Sequence, residues 1–328
     1  MDFQLRFDPL TSSDAEQIRQ LAMRAQEADG TQPLNDQTLV NLASDDTDIT
    51  HIVARTVAQS PNGDATAPTI VGYAQVDRRQ PTISGELVVD PATRRQGVGR
   101  ALLRSAIRDA TLPSRSGEPG QHAGLHIWSH AGHPGAAALA SSENLVPVRE
   151  ICLMTRPLGD IAADSVTDVI NDFRPELVVS TLDPARDNDK WLTLNAAAFQ
   201  HHPEQGGWTL ADLEERQRTD WFNADDCYVV SSADNPDELV ASLWLKLQPQ
   251  TPLTGEIYVV AVHPAAQGRG LGKKLTYLAL AHMRAHGQQT AELWTDTTNE
   301  AAVAVYRQAG FDIATTQIQY ARTSTTQP

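Results

Sequence analysis

The chain has 328 residues, 41% of them hydrophobic, and a formal net charge of −15; this is long for one domain and comfortable for two, each with its own core. A balance of 26 basic to 41 acidic residues argues against a nucleic-acid partner, because binding a polyphosphate rests on clustered lysine and arginine. No apolar run reaches the roughly eighteen residues of a membrane span, and Met1-Asp2-Phe3-Gln4-Leu5-Arg6 has no signal-peptide core, so a cytoplasmic protein without a membrane partner is expected.

In chain order, residues 3–7 read as a strand, and Ser12-Ser13-Asp14-Ala15-Glu16 as the capped start of a helix running to about residue 27. Residues 51–57 and 69–76 form an expected hairpin, parted by the loop 59–64. The strand Gly85-Glu86-Leu87-Val88-Val89-Asp90-Pro91 then leads into the turn Arg94-Arg95-Gln96-Gly97-Val98-Gly99 and a helix to about residue 110. A loop over 113–120, a strand over 125–128, a short helix and a strand over 149–155 complete a first domain, 1–158. Acids and small residues make 159–176 an expected linker.

The order restarts in 177–328, with a strand over 177–182, a helix over 188–199 and strands over 227–231 and 239–247. The strand Gly255-Glu256-Ile257-Tyr258-Val259-Val260-Ala261-Val262-His263-Pro264 enters a second turn, Gln267-Gly268-Arg269-Gly270-Leu271-Gly272-Lys273, which opens a helix to about residue 286. A strand over 291–294, a helix and a final strand over 316–321 follow. Two copies of the glycine turn imply an internal duplication. Glycines that let a backbone come close, placed at a helix start, present unpaired N–H groups and a helix dipole to an anion. Cys152 and Cys227 lie in different halves and give neither a disulfide framework nor a zinc-ligand spacing, so no metal is expected.

The second half adds Asn299-x-x-Ala302-x-x-x-Tyr306-x-x-x-Gly310-Phe311. With the turn about thirty residues earlier, this resembles the GNAT superfamily of acetyl-CoA-dependent N-acyltransferases. The first half carries a worn version, in which His133, Ala136, Ala140 and Asn144-Leu145 stand for Asn299, Ala302, Tyr306 and Gly310-Phe311. The resemblance implies an α/β fold (α+β, mixed sheet) of two tandem GNAT domains, the first degenerate and the second catalytic, with acetyl-CoA as co-substrate.

By the same resemblance, Glu256 is the base that takes the ammonium proton and Tyr306 the acid that reprotonates CoA sulfur. The pantetheine and pyrophosphate fall to Val260, Ala261, Val262, Gln267, Gly268, Arg269, Gly270, Leu271, Gly272 and Lys273, and to Asn299, Glu300, Ala301, Ala302, Val303 and Ala304. The corresponding first-half positions are Leu87, Val88, Val89, Arg94, Arg95, Gln96, Gly97, Val98 and Gly99. Glu86 stands in the first-half motif strand where Glu256 stands in the second, so the position alone does not prove catalysis.

Over essentially the whole length, including Phe199-Gln200-His201-His202-Pro203-Glu204-Gln205-Gly206-Gly207-Trp208, the chain is similar to the actinobacterial tandem-GNAT branch that acetylates the cysteinyl amine of a cysteinyl-glucosaminyl-inositol. Twenty-two arginines to four lysines suit a GC-rich genome of that kind. The resemblance places acceptor contacts at Asp36, Glu204, Lys246, Glu256 and Trp294, the last where the branch more often has tyrosine, and implies a monomer acting on a small-molecule amine. Two alternatives stay open: another acceptor, such as an aminoglycoside or a protein N-terminus, or a non-catalytic acyl-CoA-binding regulator. A Rossmann loop with Glu292 as the ribose acid competes for the second turn, although the residues 263–267 between strand and glycines argue against it.

Overall fold

The computed structural model describes residues 2–57, 68–79, 82–112, 124–162, 166–200, 205–247 and 253–322. The chain divides into two compact units, Met1–Glu150 with Thr316–Pro328, and Ile151–Thr315. No described helix is long and apolar enough to cross a membrane.

In the first unit, β1 (Phe3–Arg6), β2 (Ile49–Thr56), β3 (Ile70–Asp77), β4 (Ile83–Val89), β5 (Leu125–His130) and the C-terminal part of β12 (Asp312–Ala321) lie side by side in that order. Only the β4–β5 pair is parallel among the pairs β1–β2, β2–β3, β3–β4, β4–β5 and β5–β12. Helix α1 (Ser12–Asp29) starts at a capping box of Thr11 and Asp14 and ends on Gly30 in the left-handed region. Its buried Ile18 and Leu21 meet Tyr73 and Val88 on one face of the sheet, and α2 (Asp36–Asn41) follows on this side of the chain. The opposite face, with Ile52, Val71 and Ala74, is covered by Val98, Leu102 and Ala106 of α3 (Val98–Asp109). Helix α4 (Pro134–Ser142) packs Ala140 near Ile127 and Tyr320.

The second unit repeats the plan. Its strands run in the order β6 (Val146–Pro157, of which the part from Ile151 belongs to this unit), β11 (Thr290–Asp296), β10 (Thr254–Val262), β9 (Leu239–Leu247), β8 (Cys227–Ser232), β7 (Leu177–Thr181). Helices α6 (Pro184–Ala198) and α7 (Leu210–Gln217) bring Trp191, Leu194 and Leu213 to the face that carries Trp244, Val259 and Ala261. Helix α8 (Leu271–Ala285) covers the other face with Leu271, Leu275, Leu278 and Met283. Each such leucine, taken fully from water, contributes about 1.5–3 kcal/mol. Helix α9 (Glu300–Gln308) joins this second face through Tyr306, with Ala309 and Phe311 beside it.

Three features differ from the sequence expectation. From Ile151 onward, β6 pairs with β11 of the second unit, although the strand was expected to close the first domain. Conversely, Gln317–Tyr320 of the final strand pair with β5 of the first unit. Alternation marks a strand but does not say which sheet it joins, so a domain boundary set from element order misses such an exchange. The expected linker 159–176 contains helix α5 (Val166–Asn171), whose Val166, Val169 and Ile170, with Phe173, pack on the α8 core. Their i, i+3, i+4, i+7 spacing is an amphipathic signal that the acidic composition hid.

Candidate active site

The site of the second unit is set up by β10. This strand pairs with β11 only from Thr254 to Ile257, whereas its pairing with β9 continues to Val262. The two parallel strands therefore part after Ile257 and leave one edge of β10 without a strand partner. Register with β9 shifts between Ile257 and Val259, an irregularity that puts both Tyr258 and Val259 on the α6 face. His263 N–H bonds Val240 O, so antiparallel alternation gives the Ala261 amide to β9 and turns the Val260 and Val262 amides to the open edge. Of the three expected amides, two face the gap and Ala261 is held in the ladder.

Beyond Pro264–Ala266, a 3₁₀ turn capped by His263, the chain reaches Gly268 at φ 75° and Gly270 at φ 79°. The left-handed conformation at Gly270 starts α8 with no side-chain cap, so the first amides of the helix keep their hydrogen-bonding capacity for a ligand. A Cβ built at Gly268, Gly270 or Gly272 meets no protein atom within 4 Å, which leaves open ground in front of those amides. Gln267, Gly268, Arg269, Gly270 and Lys273 are exposed and Leu271 is buried in the core. The Gln267 side chain donates to Val262 O at 3.3 Å, tying turn to strand. These features fit an anion such as a pyrophosphate.

Asn299 caps α9 by accepting from Ala302 N–H at 3.1 Å; Glu300, Ala301 and Ala304 are exposed in the following turns, while Ala302 and Val303 are partly buried. Tyr306 is half-buried on the α8 side, edge-on to Phe311 with ring centroids 5.9 Å apart. Among the described residues its hydroxyl has no hydrogen-bond partner. Burial pushes the phenol up to about 12, so the proton stays on the oxygen at neutral pH.

On the opposite face, Lys246 of β9 and Glu256 of β10 stand in register, with Nζ 3.8 Å from Oε2. Glu292 of β11 is the register partner of Glu256 on its other side. Burial raises the Glu256 carboxyl above the ordinary glutamate range, against the pull of Lys246 and with the push of Glu292. Burial raises Glu292 too, again against Lys246. An aromatic wall adjoins the row: Lys246 Nζ lies 5.2 Å from the Trp221 ring, Trp221 stacks edge-on with Tyr258 at 5.0 Å, and Trp244 meets both. Trp294 follows Glu292 on the same face, 38% exposed. Asp36 belongs to the first unit, exposed and accepting from Gln32 at 3.4 Å, and Glu204 lies outside the described residues.

The first unit shows how the same frame is put to structural use. Gly97 at φ 91° starts α3 without a side-chain cap, and Arg95 takes φ 63° where the second copy has Gly268. Arg94 is held by Asp29 at 2.6 Å, and Gln96, Gly97 and Arg95 are exposed while Val98 is buried against α3 neighbours. The β4–β5 pairing also ends early, at Gly85, with Leu87 and Val89 following beyond it and Val88 packed toward α1. His133 caps α4 as Asn299 caps α9, Asn144 at φ 59° takes the place of Gly310 at φ 86°, and buried Leu145 that of Phe311. The first-unit sequence match for Glu256 needs correction, because β4 has no register shift and is shorter. Counted back from Pro91 and Pro264, Glu86 corresponds to Val259. Glu86 is 1% exposed and accepts from Asn35 N–H and pairs with His130 Nε2, both at 2.8 Å. Its carboxylate is consumed by the fold, and Ala140 supplies no phenol.

The family profile of the Acetyltransferase (GNAT) family matches residues 16–113 and 190–311. Over 321 residues the chain is 39% identical to a mycothiol acetyltransferase of Streptomyces bingchenggensis, covering 97% of this chain and 96% of that protein. A mycothiol acetyltransferase of Sanguibacter keddieii is 37% identical, with 96% and 95% covered. The chain belongs to the mycothiol acetyltransferase family of GNAT enzymes. Solved structures agree on the fold: a GCN5-related N-acetyltransferase from Sphaerobacter thermophilus superposes with TM-score 0.72 at 21% identity over 97% of this chain and 94% of that one. A tandem GNAT protein from the clavulanic acid pathway does so with TM-score 0.65 at 20% identity, over 97% and 98%. This member of the family is thus an acyltransferase with a mixed-sheet, tandem GNAT fold.

Two further points bear on the acetyltransferase site. The Rossmann alternative fails, since Glu292 pairs beside Glu256 near the start of β10, at the end remote from the glycine turn. Among the described residues, Asp226, His282 and His286 lie close enough together to hold a metal. The rings of His282 and His286 stack at 4.0 Å and 26°, however, so their in-plane lone pairs do not converge on one ion. The chain from Tyr228 hydroxyl through His282 to Asp226, at 2.8 and 2.7 Å, accounts for this group as buried hydrogen bonding. Sequence reasoning missed Glu292 as a member of the acceptor face and missed the wall of Trp221, Trp244 and Tyr258. The alternation Ala291-Glu292-Leu293-Trp294 carried the signal for the first, because it puts Glu292 and Trp294 on one side of the strand.

Proposed function

We propose that the second unit transfers acetyl from acetyl-CoA to the cysteinyl amine of a cysteinyl-glucosaminyl-inositol, forming mycothiol. The observation that carries this is the opposed placement of chemistry about the gap between β10 and β11: a carboxylate raised by burial near the start of β10, amides facing the gap beyond it, and a protonated phenol, its hydroxyl unbonded among the described residues, on the α9 side. The amides of the α8 start, with the ground left open by Gly268, Gly270 and Gly272, would hold the pyrophosphate, and the first turn of α9 after Asn299 would border it. Val260 and Val262 N–H would hold the pantetheine and polarise the thioester carbonyl.

Glu256 then takes one proton from the ammonium. The neutral nitrogen attacks the carbonyl carbon, and the C–S bond breaks as Tyr306 gives its proton to the departing sulfur. The second proton that the nitrogen sheds on becoming an amide passes through water to the tyrosinate, which restores the phenol while the amide product keeps the acetyl group. Lys246 and Trp294 donate to oxygen atoms of the acceptor, and the aromatic wall shapes its site. Names of the relatives and the acidic, polar acceptor face support a cationic sugar-bearing amine. Incubation with acetyl-CoA and a panel of amines, with the acetylated product measured by mass spectrometry, tests the proposal. Acetylation of an aminoglycoside in preference to the cysteinyl substrate would replace the acceptor, and acetyl-CoA binding without turnover on any amine would leave a regulator.

A further inference from the structure

We infer that Glu292 is an acceptor-binding carboxylate that holds the substrate ammonium beside Glu256. The inference rests on the reaction proposed above and adds a residue to it. Lys246, Glu256, Glu292 and Thr155 are successive register partners across β9, β10, β11 and β6, so their side chains form one row on the acceptor face. Neighbouring strands are about 4.8 Å apart, which brings the two carboxylates within reach of one ammonium.

The row contains two carboxylates and one lysine. Lys246 pairs with Glu256, while Glu292, partly buried, has no hydrogen bond or ion pair among the described residues. Like charges directly opposite one another in a sheet destabilise it. A cation arriving from solution removes that repulsion, and the row lies one residue before the last β10–β11 pair, Ile257 with Leu293, at the mouth of the gap. The groups facing the pair are Lys246 from β9, Tyr258 from β10 and the hydroxyl-bearing Thr155 from β6, with Trp221 behind Lys246; the charges acting on Glu256 are Lys246 and Glu292. With Glu292 ionised and fixed on the ammonium, the proton that leaves nitrogen goes to Glu256, and Glu292 stays an anion throughout.

The test is steady-state kinetics of Glu292→Gln and Glu292→Asp with cysteinyl-glucosaminyl-inositol, alongside wild type. Glu292→Gln should raise KM for the amine about tenfold or more, the loss expected for a hydrogen bond to a charged group, and leave KM for acetyl-CoA unchanged. Removing the anion also lowers the proton affinity of Glu256, so the acidic limb of kcat/KM should move to lower pH, and Glu292→Asp should restore part of both effects. Glutamate carboxyl carbons followed by NMR in the unliganded wild type give a readout free of turnover and of any variant's folding: coupled titration of Glu256 and Glu292 is expected. An unmoved KM and acidic limb in folded Glu292→Gln, or independent titration of the two carboxyls, overturns the inference. Wild type that fails to acetylate the amine overturns the proposed reaction instead, which keeps the two failures distinct.

Discussion

Gly272 separates ligand binding from folding more cleanly than any other position in the glycine turn. It is the second residue of α8, outside the left-handed region, and a Cβ there meets nothing within 4 Å. Alanine is therefore accommodated without a clash, and its helix propensity should raise stability by up to about 1 kcal/mol, a melting shift of about 2–4 °C upward. The same methyl group projects into the ground where the pyrophosphate is proposed to lie. Displacing the phosphate from one amide forfeits a hydrogen bond to a charged group, about 1.5–3 kcal/mol, so Gly272→Ala should weaken acetyl-CoA binding roughly ten- to a hundredfold. Isothermal titration of acetyl-CoA, with a thermal melt of the same preparation, measures both. A variant at least as stable as wild type that keeps the wild-type Kd would refute the placement of the pyrophosphate. Gly270→Ala is the less clean companion, because φ 79° adds about 1–2 kcal/mol of strain to any loss of binding.

Tyr306→Phe removes a hydroxyl that no described residue bonds, so the melting temperature should stay within about a degree or two of wild type while kcat falls about a hundredfold or more and acetyl-CoA affinity holds; full kcat would make Tyr306 a core residue only. Glu256→Gln should lower kcat about a hundredfold and remove the acidic limb of the pH–rate profile, whose midpoint in wild type should lie above 4.5 because the base form exists only above a raised proton affinity. The sign for stability is the reverse of the usual carboxylate case. A raised Glu256 stabilises below its unfolded value and loses that contribution as pH rises through the folded one, so thermal melts at pH 7 should show Glu256→Gln melting no lower than wild type. In the first unit, Glu86→Ala strips the partners from partly buried His130 and from Asn35 N–H, and should cost about 3 kcal/mol by denaturant titration; a loss below about 1 kcal/mol would mean that water replaces the carboxylate.

The repeated strand, turn and helix were legible because glycines at φ 79° and 91° leave a mark that few other residues can replace. Tyr306 and Asn299 were legible through their spacing along one helix. What the sequence hid were relations between strands: the shift at Tyr258 that sets Glu86 against Val259, and the lateral pairing that makes neighbours of Lys246, Glu256 and Glu292. Sequence separation of 36 residues between those two glutamates, 256 and 292, holds no local pattern that announces contact. Helix α7 (Leu210–Gln217), with its capping box of Thr209 and Asp212, was readable in principle and was overlooked among acids and glutamines.

The strand exchange fixes an order on the ribosome. The first unit cannot cover the outer edge of β5 until Gln317–Tyr320 have been synthesised, so the half of the chain made first is the half completed last. A nascent chain that has not yet emitted residues 317–320 carries an uncovered β5 edge and an unfilled place beside Ile127, where Tyr320 belongs. Release of a chain ending at residue 315 should accordingly leave the first unit protease-sensitive along β5, however complete the glycine turn and α8 of the second. A truncation at residue 315 is therefore read out at β5, within the half of the chain made first.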